Sequence, residues 1–269
     1  MSFLYVRINV SNKSERNTLL KIQKFLAGEK NSDGYIAISE MLTDFKPESL
    51  ATDMMRYRIS GKASAECNDI YYVATENGEG IARHWMGWGK HADAIGNWGN
   101  FYTNEEFRGK GVGRALLTAW YEDFLSRESL PIALLCTAAN TGLVEVYSRY
   151  GFRSALKDGD PCPLYMPIGD SPKDFLSFCE FYYTPADLII KRPASIEWRH
   201  EIDCLFKFYL LDNKMEFGIN GVSSLEEALL RYPERAELFF TDSNRCVGWA
   251  IDGKAQLHSL YKNSKVISD

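Results

Sequence analysis

The sequence predicts an α/β protein in which a mixed, mostly antiparallel sheet is flanked by helices and followed by a smaller C-terminal α+β domain. Three observations predict it. Short apolar runs that suit strands are interleaved with stripes of helical spacing. Gly109, Gly111 and Gly113, at alternate positions, lead directly into one of those stripes. Near residue 169 the text changes to a stretch with two prolines and an aromatic cluster, after which strand and helix patterns resume. The expected division is therefore 1–168, a linker and helix over 169–187, and a C-terminal α+β domain over 188–269.

In chain order, "FLYVRINV" (residues 3–10) alternates as a strand, and "SERNTLLKIQKFLAG" places Leu19, Ile22 and Leu26 at helical spacing before a stop at Gly28. Pro47 opens a second helix, "PESLATDMMRYRI", because a first helical turn tolerates proline. Residues 33–46 and 60–66 give no clear pattern. "DIYYVAT", "GIARHWMGW" and "AIGNWGNFYT" are three strands of an antiparallel meander, the first two joined by an Asn-Gly turn. Leu116, Leu117, Trp120 and Phe124 share one face of the helix that follows the glycines. "PIALLCT" is a continuous apolar run of the kind a fully buried strand shows, "NTGLVEVYSRYGF" a helix closed by Gly151, and "PLYMPI" a last strand.

Beyond residue 187 come the strand "LIIKR" and a helix from about Ser195 with Trp198, Ile202, Leu205 and Tyr209 on one face. A short helix follows, with Ser224 and Glu227 in capping-box spacing and a stop at Pro233. "ELFFT", "CVGWAI" and "AQLHSL" are three closing strands. Strand, helix, helix, three strands repeats the opening order, which suggests a truncated second copy of the first fold.

Composition narrows the function classes. Of 269 residues, 45% are hydrophobic and 25% charged, and no run approaches the roughly 18 apolar residues a membrane helix needs, so a soluble protein is expected. The N-terminal text lacks a basic leader with a cleavage site, which favours the cytoplasm. Six cysteines without a CxxC pair read as reduced, mostly buried thiols, and no metal is expected. A net charge of −5 with no long basic run disfavours nucleic acid as a partner.

The loop Arg108-Gly109-Lys110-Gly111-Val112-Gly113-Arg114 stands before a helix, so its amides sit at the positive end of a helix dipole. That suits an anion. It is neither a Walker loop nor GxGxxG, and alone it reads as a glycine turn between solvated arginines. Yet "FYTNEEFRGKGVGRALL" resembles the acyl-CoA pyrophosphate motif of the GNAT superfamily of N-acetyltransferases, with Arg108, Gly111 and Gly113 filling its core. "NTGLVEVYSRYGF" resembles that superfamily's second signature through Asn140, Tyr147, Gly151 and Phe152. The resemblance covers about residues 1–168.

It implies acetyl-CoA as co-substrate, with Arg108 to Arg114 holding the pyrophosphate and Asn140 bonding the pantetheine arm between "NWGNFYT" and "IALLCT". Backbone at Tyr102 and Thr103 would polarise the thioester carbonyl. Tyr147 would be the general acid for the departing thiolate. For the base that frees the acceptor amine, Glu106 is the family's counterpart, with Glu105, His84, His91 and Asp93 as further candidates. Glu105 stands where the family often has proline. A covalent route through Cys136 is chemically conceivable, but a thiol on an apolar strand is inert as a rule.

The expected function is thus transfer of an acetyl group to a primary amine on a small molecule or peptide. The tail would shape the acceptor site, cover a sheet edge or form a homodimer contact. The rival readings are a non-catalytic acyl-CoA sensor and an interaction module working through the tail. "RHWMGWGKHADAIGNWGN" holds three tryptophans, with Trp98 expected in the core and Trp88 and His91 open between core and acceptor wall.

Overall fold

The computed structural model describes residues 3–7, 19–43, 50–156, 158–212 and 217–268. They form two compact units, one of Met1–Gly87 with Trp98–Leu130 and one of Trp88–Asn97 with Pro131–Asp269. No described helix is long and apolar enough to cross a membrane.

In the first unit β1 (Phe3–Arg7) pairs antiparallel with β2 (Leu19–Leu26), and β2 antiparallel with β3 (Cys67–Glu76). The helix expected over "SERNTLLKIQKFLAG" is therefore strand β2 in its described part. Leu20, Ile22, Gln23, Phe25 and Ala27 are all buried, so both faces of this inner strand are covered and no period of two was written into it. The apparent helical stripe does not survive: Leu26 is 49% exposed. The expected helix start at Ser14 and the Pro47 turn lie outside the described residues. Helix α1 (Asp33–Thr43), which the sequence did not announce, buries Ala37, Ile38, Met41 and Leu42. It shares with α2 (Leu50–Ile59) a core made of Phe25, Tyr71, Val73 and Trp85.

Strands β3 and β4 (Glu79–Gly89) are joined by Asn77 and Gly78 alone, with φ of 53° and 90°. Two left-handed residues give the turn that matches the twist of paired strands, so the Asn-Gly signal was read correctly. β4 and β5 (Ile95–Thr103) both run from one unit into the other, and the strand order here is β1-β2-β3-β4-β5. His84, Trp98 and Trp120 form a second aromatic group, the two indoles 5.2 Å apart. Helix α3 (Val112–Leu125) buries the four residues its spacing marked, Leu116, Leu117, Trp120 and Phe124. Each such burial contributes about 1.5–3 kcal/mol.

In the second unit β5 pairs parallel with β6 (Ala133–Thr137) over three residues, Ile95 to Asn97. β6 pairs antiparallel with β8 (Pro163–Pro167), and β8 with the two-residue β7 (Arg153–Ser154). Helix α4 (Thr141–Ser148) connects β6 to β7. After α5 (Phe175–Tyr182) comes a second sheet of order β12-β11-β10-β9-β13. Its strands are β9 (Leu188–Pro193), β10 (Ala236–Phe240), β11 (Cys246–Ile251), β12 (Lys254–Leu257) and β13 (Lys265–Ser268). Helices α6 (Arg199–Asp212) and α7 (Leu225–Arg231) lie between β9 and β10 in the chain. Trp198, Ile202, Leu205 and Tyr209 enter the core, as their spacing required.

The series β9, α6, α7, β10, β11, β12 has the element order and the sheet order of β2, α1, α2, β3, β4, β5. The strand beside β9 differs in kind: β13 is parallel to it, whereas β1 is antiparallel to β2.

Candidate functional site

The first motif lies wholly in the first unit. β5 ends at Thr103, and Asn104 ties the chain down by donating from its backbone to the Ile81 carbonyl and from its amide to the Gly80 carbonyl. A 3-10 turn over Glu105–Phe107 follows. Glu105 opens it without strain and pairs with Arg108 at 3.3 Å, an exposed contact that adds little stability. Arg108 also donates from Nε to the Thr103 carbonyl at 3.0 Å and lies 5.7 Å from the Tyr102 ring. It fastens the start of the loop to the end of the strand.

The three glycines have different reasons. Gly109 and Gly111 take φ of 72° and 83°, which side chains resist. Gly113 has ordinary helical backbone, but a Cβ there would come within 2.9 Å of the Phe101 ring. Close passage of α3 over β5 excludes a side chain. Gly111 is the N-cap of α3 and offers no side-chain acceptor; the helix has no acidic residue in its first turn. Its first backbone bond runs from Ala115 N–H to the Gly111 carbonyl, so the amides of Val112, Gly113 and Arg114 precede the ladder. Lys110 and Arg114 are exposed beside them. Free first-turn amides, the helix dipole and flanking cations are the features that favour an anion such as phosphate.

The second motif lies in the second unit. Asn140 is extended, and its Oδ1 accepts from Leu143 N–H at 3.2 Å, capping α4. Tyr147 is the buried residue of that helix, 4% exposed, and its ring packs near Phe152. Gly151 takes φ of 98° and closes the helix as expected. Burial, with the Cys136 thiol nearby, pushes the Tyr147 phenol well above its ordinary value. It holds its proton at neutral pH but releases it less readily than a solvated phenol. Burial likewise pushes Cys136 up to about 12, against the pull of Lys207. A thiol so rarely ionised is a poor nucleophile, which removes the physical basis of a covalent route.

The candidate bases divide. Glu105 and Glu106 are exposed on the 3-10 turn. His84 is fully buried, shares Nδ1 with the Gly99 carbonyl, and is pushed down to about 3 by burial, so it stays neutral. His91 is not a solvated loop residue: its ring stacks on Trp198 at 3.6 Å, with Nε2 3.4 Å from Glu201. Asp93 pairs with Arg245 at 2.9 Å. Trp85, Trp88 and Trp98 are each at most 4% exposed, so the tryptophan-rich run is core rather than an acceptor wall.

Sequence reasoning missed the polar side of α6. Besides its apolar stripe, the helix carries His200, Asp203 and Lys207 at spacings of three and four. Lys207 is buried and donates to the Cys136 carbonyl at 2.7 Å and the Thr137 hydroxyl at 3.0 Å. Asp203 accepts from His200 Nδ1 and from Asn97 Nδ2, both at 2.8 Å. Glu201, fully buried, accepts from Ile95 N–H at 2.7 Å. The signal was legible: one helix with a second, polar stripe.

Residues 67–154, about a third of the chain, match the family profile described as Acetyltransferase (GNAT) domain, and this segment holds both motifs. The mycothiol acetyltransferase of Amycolatopsis mediterranei (strain U-32) is 26% identical over 141 residues. Those residues are 49% of this chain and 46% of that relative, so the match spans about half its length. Among solved structures, Escherichia coli ElaA is 16% identical over 55% of this chain and 99% of its own, with a TM-score of 0.40. The Escherichia coli GNAT family N-acetyltransferase YhbS, solved in complex with CoA, is 15% identical over 59% of this chain and 87% of its own, with a TM-score of 0.41.

Proposed function

We propose that this chain is an N-acetyltransferase that moves an acetyl group from acetyl-CoA directly to a primary amine. The observation that carries the reading is α3, whose first-turn amides stand behind a left-handed glycine cap inside the segment that matches the GNAT domain. In this reading those amides, with Arg108, Lys110 and Arg114, hold the pyrophosphate, and backbone at Tyr102 and Thr103 binds the thioester end. Asn140 contributes to the arm. Tyr147 gives its proton to the departing thiolate, a role for which a protonated phenol is suited. The acceptor ammonium must first lose a proton, for which Glu106 is a candidate within the loop motif.

Six cysteine thiols, five of them buried, favour a reducing compartment such as the cytoplasm. Residues 1–168 would form the transferase domain, and the strand–helix–helix–three-strand tail would be a truncated copy that shapes the acceptor end. A small amine or a peptide amine fits the acidic chain better than a nucleic acid.

The first test is thermal unfolding with and without acetyl-CoA, with ATP and NAD as controls. At one hundred times Kd, acetyl-CoA should add roughly 2.7 kcal/mol. A shift with acetyl-CoA alone, followed by thiol release in the presence of amines, supports the reading; no shift with any of the three rejects it.

A further inference from the structure

The second unit contains an ionisable network that the acyl-transfer motifs do not use. Asn97 is the last β5 residue in register with β6, opposite Leu135. Cys136 and Thr137, the next two residues of β6, are both held by Lys207 Nζ. One turn earlier on α6, Asp203 accepts from Asn97. The helix thus lays a carboxylate and an ammonium against the end of the β5–β6 ladder. Tyr147 is within electrostatic reach of the Cys136 side chain on β6.

The protons in this network can be assigned. Arg199 Nε donates to His200 Nε2 at 2.8 Å, and a guanidinium has only donors, so Nε2 is an acceptor. The ring proton is therefore on Nδ1 and is given to Asp203 Oδ2. Arg199 itself lies 3.5 Å from Glu226 in a buried pair. His200, 1% exposed at its side chain, is fixed as a neutral donor and is a poor proton acceptor, while Asp203 keeps 26% exposure. His200, hydrogen-bonded to it, and Lys207, one turn further along the helix, are titratable groups that interact with it.

We propose that Asp203 is the general base that takes the proton from the acceptor amine, with His200 and Asn97 as positioning residues. The assignment rests on the acyl-transfer reading above. The acceptor ammonium gives a proton to the Asp203 carboxylate, and the freed nitrogen lone pair forms the bond to the thioester carbonyl carbon. When the carbon–sulfur bond breaks, the thiolate takes the Tyr147 proton, and the phenolate recovers one from the second proton shed by the amide nitrogen. Asp203 then loses its proton to water through its exposed edge, so one proton is released per amide formed.

The experiment compares wild type, Asp203→Asn and Glu106→Gln with acetyl-CoA and two kinds of acceptor: alkyl amines that are protonated at pH 7, and hydroxylamine, which is largely neutral there. Asp203→Asn should keep the acetyl-CoA thermal shift, lose about 10²-fold or more in kcat/KM on alkyl amines, and lose much less on hydroxylamine. Its remaining rate on alkyl amines should climb with pH. Equal losses on both acceptors would mean a structural role and overturn the assignment, as would a loss confined to Glu106→Gln. If Asp203→Asn does not fold, the wild-type profiles decide: a rate on hydroxylamine that depends on the same acidic ionisation as the alkyl amine rate overturns it. A wild type that neither binds acetyl-CoA nor releases thiol overturns the transferase reading, and the base with it.

Discussion

Two helices begin at the two motifs, and they begin in opposite ways. α3 starts from Gly111 in left-handed backbone, with no side chain over its first turn; α4 starts from Asn140 in extended backbone, with its carboxamide oxygen on Leu143 N–H. α5 and α7 follow the second pattern, through Asp174 and Ser224. A side-chain cap satisfies a helix from its own sequence, whereas an uncapped turn leaves its donors to water or a ligand. The difference separates a helix start whose donors stay open from one whose own side chain closes it, in the helix that holds the buried Tyr147.

The largest effect should come from Tyr147→Phe. If α4 serves chemistry and α3 serves binding, kcat falls about 10²- to 10⁴-fold while the acetyl-CoA thermal shift stays within error of wild type. Loss of both together would erase the division of labour; retention of full turnover would take the acid role away from Tyr147.

Acid should then separate the two units through their histidines. His84, in the first unit, has a folded value of about 3 against the ordinary 6.5. Below pH 6.5 the unfolded chain binds a proton that the folded chain refuses, so stability present at neutral pH falls as pH drops toward 3. The loss is about 2 kcal/mol by pH 5. His200 is lowered too and acts in the same direction, whereas His91, raised by Glu201, acts in the opposite one. Denaturant midpoints from pH 7 to 4.5 should fall in wild type and fall less steeply in His84→Phe. Equal slopes would show that His84 titrates normally.

The glycine loop was legible because it breaks the rules of ordinary helix starts. Gly109 and Gly111 are needed for their φ, Gly113 for space, and all three reasons act through local backbone. Tyr147 was legible through its distance from Asn140 and Gly151. By contrast β2 was misread, since Leu20 and Ile22 on one face and Gln23 and Phe25 on the other are all buried, and a strand covered on both faces loses its alternation. α1 was hidden by Gly34 and by β-prone Tyr35, Ile36 and Ile38, although Ala37, Ile38, Met41 and Leu42 make a helical stripe. The Asp203 and Lys207 contacts depend on residues 70 to 106 positions away, and no local pattern encodes such partners.

A smaller effect belongs to the capped helix. Asn140→Ala removes the acceptor of Leu143 N–H and should cost about 1 kcal/mol, read as a lower denaturant midpoint with an unchanged slope. Asn140→Ser, which can cap, should restore most of it. An Asn140→Ala protein as stable as wild type would mean that water caps α4 equally well, and the contrast with α3 would lose its energetic content.

The smallest change in stability should accompany the sharpest test, Gly111→Asn. Asparagine tolerates left-handed backbone better than other side chains, so at φ of 83° the fold should change by less than about 1 kcal/mol. Its carboxamide, however, stands over the first-turn amides of α3, where an anion would approach. Acetyl-CoA affinity should therefore fall at least tenfold while the melting temperature of the free protein barely moves. Gly109→Asn is the matched control: its φ of 72° is equally left-handed, but it lies ahead of the helix and not over its first turn. Equal losses in both variants would place the requirement in loop flexibility. A loss at Gly111 alone ties binding to the uncapped amides of α3, the one feature in which the two helix starts differ.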